Sequence, residues 1–122
     1  MQIYFEQRLF ALLAKHKRRA IVWDEAFVDM PSFLDTSVVV EVWDNASLLE
    51  SALAAGHDVL FASGWYLDRQ VPVDNRTHWF WLDTWADMYS VVFPPQPSKG
   101  GRILGGEAPM WSEQVCAVAR RG

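Results

Sequence analysis

The chain has 122 residues, room for one modest domain. At 51% hydrophobic and 21% charged its composition is that of an ordinary globular protein. A net charge of -4 offers no basic footprint for nucleic acid, and no apolar run approaches the length of a bilayer span. Met1–Arg19 does not read as a secretory signal either, because Glu6, Gln7 and Arg8 interrupt its apolar residues and the basic cluster follows them.

In chain order, residues 2–18 read as an amphipathic helix: Phe5, Leu9, Leu12, Leu13 and His16 repeat at helical spacing, and Lys15, Lys17, Arg18 and Arg19 favour its C-terminal end. Ala20–Trp23 is a short apolar strand, followed by a loop that contains Pro31. Ser37–Trp43 (SVVVEVW) has the β-branched run of a buried strand. Asp44 or Asn45 can cap a helix that runs through Ala55, with Gly56 as its stop. Asp58–Ala62 is the next strand. Residues 63–100 are irregular and rich in aromatics, Pro and Gly, with one helical turn predicted around Thr84–Tyr89; so long a segment is usually functional. Arg102–Gly105 begins a further strand, and Ser112–Arg120 starts a final helix.

Short buried strands alternating with helices predict an α/β fold with a parallel sheet. Three or four strands cannot close a barrel, and a (β/α)8 barrel needs about twice this length. The strand pattern therefore predicts an α/β parallel sheet that stays open, a single piece over 1–122 that reads as truncated at both ends.

The chemistry-bearing residues cluster at strand ends. Trp23 and Trp43 close the first two strands; Trp65, Tyr66 and Asp68 lie beyond the third; Glu107, Trp111 and Glu113 lie beyond the fourth. Parallel α/β sheets bind ligands at the carboxyl ends of their strands. Aromatic rings stack on the C–H face of a pyranose, and carboxylates accept from its hydroxyls. Seven tryptophans, at 23, 43, 65, 79, 81, 85 and 111, exceed what so short a chain needs for its core. For a single aromatic, core packing is the ordinary use, and Trp79, Trp81 and Trp85 are read as loop packing. Strand-end position together with motif context moves Trp23, Trp43, Tyr66 and Trp111 to ligand contact.

His16, His57 and His78 lack metal-ligand spacing and read as solvated or packing residues, so no metal or other cofactor is expected. Gly105-Gly106 lacks the pattern of a phosphate loop. Cys116 is the lone cysteine and can form no disulfide within the chain.

The segments IVWDEAF (Ile21–Phe27), VVVEVWDN (Val38–Asn45), AGHDVLFASGWYLD (Ala55–Asp68), DTWADMY (Asp83–Tyr89) and ILGGEAPMWSEQV (Ile103–Val115) resemble successive blocks of glycoside hydrolase family 20. They stand in that family's order, cover nearly the whole chain, and are most diagnostic in GWYLD and GGEA-x-MW-x-E. HWFWLDTW (His78–Trp85) is more similar to eukaryotic members. The resemblance implies that the open sheet is a partial (β/α)8 barrel. It also implies a β-N-acetylhexosaminidase that removes terminal N-acetylglucosamine or N-acetylgalactosamine from glycans, lysosomal or secreted, with a dimer admitted for the complete enzyme. It implies a substrate-assisted retaining mechanism, an exception to the two-carboxylate scheme. Trp23, Trp43 and Trp111 would box in the acetamido methyl and the sugar ring, with Trp65 beside them. Tyr66 would donate to the acetamido oxygen, and Asp68 and Glu113 would accept from the outer hydroxyls. The family's Asp-Glu pair belongs to a strand upstream of this segment, in the missing N-terminal part of the barrel. Asp24-Glu25 sits in the wrong block and is not assigned catalysis. Glu107 reads as a structural carboxylate near the site. Pro109 stands where many relatives have Cys, and Cys116 follows Gln114-Val115 where many have Asp.

Two other function classes fit the same residues. One is a carbohydrate-binding domain without turnover. The other is a different barrel glycosidase using Asp68 and Glu113, which requires a separation of about 5–5.5 Å for retention or about 6.5–9.5 Å for inversion.

Overall fold

A computed structural model describes residues 2–67, 84–93 and 95–111. The elements run α1 (Gln2–Lys15), β1 (Ile21–Trp23), α2 (Asp24–Asp29), β2 (Val39–Val42), α3 (Leu48–Ala54), β3 (Val59–Phe61), α4 (Trp85–Ser90) and β4 (Ile103–Gly106). The chain divides into two compact units. The first comprises Met1–Phe61 with Pro95–Gly106, the second Ala62–Pro94 with Glu107–Gly122.

The first unit holds the whole sheet. Its strands pair in the order β1-β2-β3-β4, every pair parallel. Ile21 stands opposite Val39, Val40 opposite Val59, and Val59 opposite Ile103, with a register shift as β4 passes Leu60. Among the described residues the sheet is open, as expected of a partial (β/α)8 barrel, and β1 and β4 are its edges. β2 is buried along its whole length, whereas the edge strand β1 leaves Ile21 exposed. That contrast follows from position: a central parallel strand is covered on both faces, so it needs apolar side chains pointing both ways.

Helix α2 packs on β1 and β2, and α3 on β2 and β3. Ala26, Met30, Leu34 and Val38 form one buried cluster, joined by Ile3, Phe10, Ala20, Val22 and Phe27. Leu49, Ala52 and Leu53 supply the buried face of α3 at the i, i+3, i+4 spacing of an amphipathic helix. His57 is a packing residue: its Nδ1 lies 3.0 Å from the Val38 carbonyl and its ring meets Phe27 edge-on.

Several boundaries differ from the sequence reading. Helix α1 stops at Lys15 and is closed by the double hydrogen bond of a Schellman turn. Arg18 N–H donates to the Leu13 carbonyl and Lys17 N–H to that of Ala14, both at 3.0 Å, with Lys17 in the left-handed region at φ 52°. The expected apolar stripe is displaced as well. Phe5, Leu9 and Leu12 are exposed, and Ile3 and Phe10 face the core. The helix carries two apolar stripes, and periodicity alone does not say which one meets the sheet. Asp24–Asp29, read as loop, is a helix, because Ala26 and Met30 fall one turn apart before Pro31 ends the run. The N-cap of α3 is Ser47, not Asp44 or Asn45; the Asn45 side chain instead accepts from the Ser47 N–H and hydroxyl, making a local turn. Trp43 lies one residue beyond its strand. The helix expected from Ser112 and the stretch with Trp79 and Trp81 lie outside the described residues.

The N-terminal edge of the sheet is stitched by charge. Asp58, just before β3, accepts from Arg19 Nη1 at 2.9 Å and from the Arg102 N–H at 3.0 Å, while Arg19 Nε donates to the Ser37 carbonyl at 2.8 Å. One arginine thus ties together the chain entering β1, β2 and β3. Burial works to raise the Asp58 pKa, but hydrogen bonds from Arg19 and Arg102 and the two positive charges outweigh it, and the group lies below its ordinary 3.8. A carboxylate with a lowered native pKa adds stability that is present above the unfolded value and is lost as pH falls through the native one. The stability difference between wild type and D58N, followed by urea unfolding, is therefore expected to be full at neutral pH and to shrink below about pH 4.

The approach to β4 depends on close backbone packing. Gly101 N–H donates to the Leu53 carbonyl at 2.9 Å. A Cβ on Gly101 would lie 1.7 Å from the His57 carbonyl oxygen, and one on Gly100 would lie 2.4 Å from that of Leu53. Because the obstacle is backbone, no rotamer change relieves it. G101A is expected to lower the urea-unfolding free energy by about 3 kcal/mol or more, against less than about 0.5 for a surface substitution such as K99A.

Candidate functional site

Parallel pairing puts the C-terminal ends of β1 and β2 side by side. Trp23 ends β1 opposite Glu41, and Trp43 follows the last residue of β2. Their rings meet edge-on, with centroids 6.2 Å apart and planes at 78°. In this arrangement the positive edge of one ring points at the electron-rich face of the other, so two indoles stand as adjoining walls rather than as a stack. Trp23 remains 39% exposed, enough ring surface for a ligand to touch, although a tryptophan at a strand end is usually recruited to the core.

The next two residues organise this pair. Asp24, with 2% of its surface exposed, accepts from the Trp43 N–H at 3.1 Å and the Asp44 N–H at 3.4 Å, both on Oδ2. Glu25 accepts from the Trp43 indole Nε1–H at 3.1 Å. Burial raises the Asp24 pKa above 3.8; the backbone N–H groups of Trp43, Asp44 and Asn45 pull it back, and neighbouring Glu25 pushes it up. The sequence assigns Asp24-Glu25 no catalysis; in the fold the pair holds the turn after β2. The available signal was an acidic pair directly behind a strand-ending aromatic, where carboxylates suit a helix N-terminus and its free N–H groups. Glu41, a buried carboxylate in the middle of β2, was also passed over, because a single acid in SVVVEVW does not break the strand pattern.

In the second unit, Trp65 donates its indole N–H to the Met88 carbonyl at 3.0 Å and meets Phe93 edge-on at 5.4 Å. It anchors α4 and its following turn, so its polar handle is engaged within the protein. Tyr66 is 1% exposed. The Leu67 N–H donates to the Pro109 carbonyl at 2.9 Å, which joins the segment after β3 to the GGEAPMW segment. Pro109, a departure from many relatives, thus contributes an acceptor that any residue type could supply. Trp111 is 44% exposed, and Glu107 is exposed. Trp85, expected to pack within its loop, is instead 72% exposed, because it occupies the first position of α4 behind the Thr84–Asp87 capping box, which fixes the helix start through polar groups alone. Asp68 and Glu113 lie outside the described residues, and with them the separation that would test a two-carboxylate glycosidase. Among the described residues no group of His, Cys, Asp and Glu could hold a metal, and no helix is long and apolar enough to cross a membrane.

Comparison with known proteins agrees with this geometry. Beta-hexosaminidase subunit A2 of Dictyostelium discoideum is 37% identical over 118 residues, covering 94% of this chain and 21% of that protein. Beta-hexosaminidase subunit beta of Entamoeba histolytica is 29% identical over 126 residues, and that of Felis catus 29% over 127, each covered for 22% of its length. The chain therefore spans about a fifth of the length of the curated relatives it matches. Residues 1–120 match the catalytic domain of glycosyl hydrolase family 20. A parallel sheet with tryptophans at adjacent strand ends and a family match across almost the whole length lead to one conclusion: the chain belongs to glycosyl hydrolase family 20.

Proposed function

We propose that these residues form the sugar-binding part of an exo-acting β-N-acetylhexosaminidase, whose proton donor is supplied by residues outside the 122. The observation that carries this reading is the Trp23–Trp43 pair at the ends of two adjoining parallel strands, in a chain of this family whose relatives include proteins named beta-hexosaminidase.

In the proposed reaction the acetamido oxygen of the terminal sugar attacks its own anomeric carbon while the leaving oxygen takes a proton. The resulting bicyclic oxazolinium is then opened by water, and the anomeric configuration is retained. Trp23, Trp43 and Trp111 hold the acetamido methyl and the ring, and Trp65 adds surface beside them. Tyr66 donates its hydroxyl to the acetamido oxygen as that atom becomes the nucleophile. Asp68 and Glu113 accept from the outer hydroxyls. Such a division of labour suits the residue types: indoles exclude water and stack, a phenol donates without carrying charge, and carboxylates only accept. The substrates are glycans and glycoconjugates ending in N-acetylglucosamine or N-acetylgalactosamine, and the complete enzyme is lysosomal or secreted.

Two measurements test this reading. The isolated 122 residues should release no product from a chromogenic N-acetyl-β-glucosaminide above the rate without enzyme, since positioned acid catalysis contributes about 10²–10⁴-fold. Turnover that E25Q abolishes would instead make Asp24-Glu25 the acid pair. In the complete enzyme, Y66F keeps the ring and its packing but removes the donor. Its kcat should fall by about 10²–10³-fold, as on loss of one oxyanion-hole donor. An unchanged kcat with a raised KM would make Tyr66 a uniform binding contact.

A further inference from the structure

The consecutive acids behind Trp23 hold Trp43 at two points. Asp24 takes the Trp43 main-chain N–H at 3.1 Å and the Asp44 N–H at 3.4 Å on a single buried oxygen, which fixes the turn that leaves β2. Glu25 takes the far end of the same residue, the indole Nε1–H, at 3.1 Å. An indole swings about two torsions, and anchoring both its main-chain root and its ring nitrogen removes that freedom. Trp23, the residue before Asp24, closes one side edge-on at 6.2 Å. One tripeptide, Trp23-Asp24-Glu25, thus sets the position of a tryptophan some twenty residues away in the chain.

The two acids differ in what they can contribute. Asp24 is almost inaccessible, and its acceptor oxygen meets two main-chain donors, so it holds structure as well as orientation. Glu25 is exposed, and its bond to the indole crosses from α2 to the end of β2. A solvent-accessible hydrogen bond of this kind adds little to folding, because water replaces it in the unfolded chain. Its effect is to select one ring orientation, and a binding surface held in advance binds more tightly than one ordered on contact.

We propose that Asp24 and Glu25 are positioning residues of the sugar site, acting through Trp43: Asp24 fixes its backbone and Glu25 its ring. This rests on the sugar-binding role proposed above for Trp43. The test is steady-state kinetics of the complete enzyme on a chromogenic N-acetyl-β-glucosaminide, together with the indole N–H resonance of Trp43, assigned by its loss in W43F. E25L removes the acceptor and should raise KM by about 3- to 10-fold with kcat changed less than about twofold, while moving the Trp43 indole resonance. E25Q keeps an acceptor oxygen and should restore both. D24N, which also keeps one, should stay near wild type, whereas D24A should raise KM and lower the melting temperature together. A normal KM in E25L, with W43A strongly impaired, would overturn the positioning role and leave the sugar site standing. A normal KM in W43A would overturn the role of Trp43, and the inference with it. An indole resonance unmoved in E25L would show that Glu25 does not orient the ring, whatever the kinetics.

Discussion

Parallel pairing is the constraint on which the rest of the first unit depends. Two parallel strands cannot be joined by a tight turn, so each connection must travel back along the sheet, and α2 and α3 supply that return between β1, β2 and β3. All C-terminal strand ends then share one edge, and residues far apart in the chain become neighbours there. Trp23 and Trp43 meet for this reason. The same geometry requires a central strand covered on both faces, which β2 meets with valines on either side and accommodates one buried acid, Glu41.

The N-terminal and C-terminal ends of the strands are held by aspartates in opposite electrostatic settings. Asp58, at the N-terminal ends, has two arginines beside it and is pulled below its ordinary pKa despite burial. Asp24, at the C-terminal ends of the strands, has backbone N–H donors and a neighbouring acid beside it, and burial keeps it above. Ionised Asp58 therefore favours the folded state, whereas stability linked to Asp24 is present below pH 3.8 and declines as pH rises through its native value. The fold tolerates this because the turn after β2 presents main-chain donors that need an acceptor, and leaving them bare would be unfavourable too.

The aromatic residues divide by how their polar ends are used. Trp65 gives its N–H to a main-chain carbonyl and packs on Phe93, which makes it part of the scaffold of the second unit. Trp43 gives its N–H to an exposed carboxylate from a different element, a bond that steers the ring while doing little for folding. Trp85 opens α4 largely exposed, and the Thr84–Asp87 box starts its helix through polar groups. The surplus of tryptophan is thus divided between packing within a unit, strand-end positions and the exposed surface.

The sequence alone determined the class of fold, the four strands and their approximate limits, because β-branched runs and helical spacings are local properties that short segments carry by themselves. Its motifs also pointed to the family and to Trp23 and Trp43 as neighbours at strand ends. Tertiary structure decided the rest. Which stripe of α1 faces the sheet is settled by the partner surface, and Phe5, Leu9 and Leu12 lost to Ile3 and Phe10 although their spacing was the more regular. That Asp24-Glu25 opens a helix and grips Trp43 depends on β1 and β2 lying side by side, a contact no local pattern encodes. Gly101 shows the same division: nothing in Lys99-Gly100-Gly101 distinguishes it from an ordinary loop glycine until the His57 carbonyl is placed where its side chain would be. Local sequence sets what each segment can become; only the packed sheet brings donor to acceptor across tens of residues.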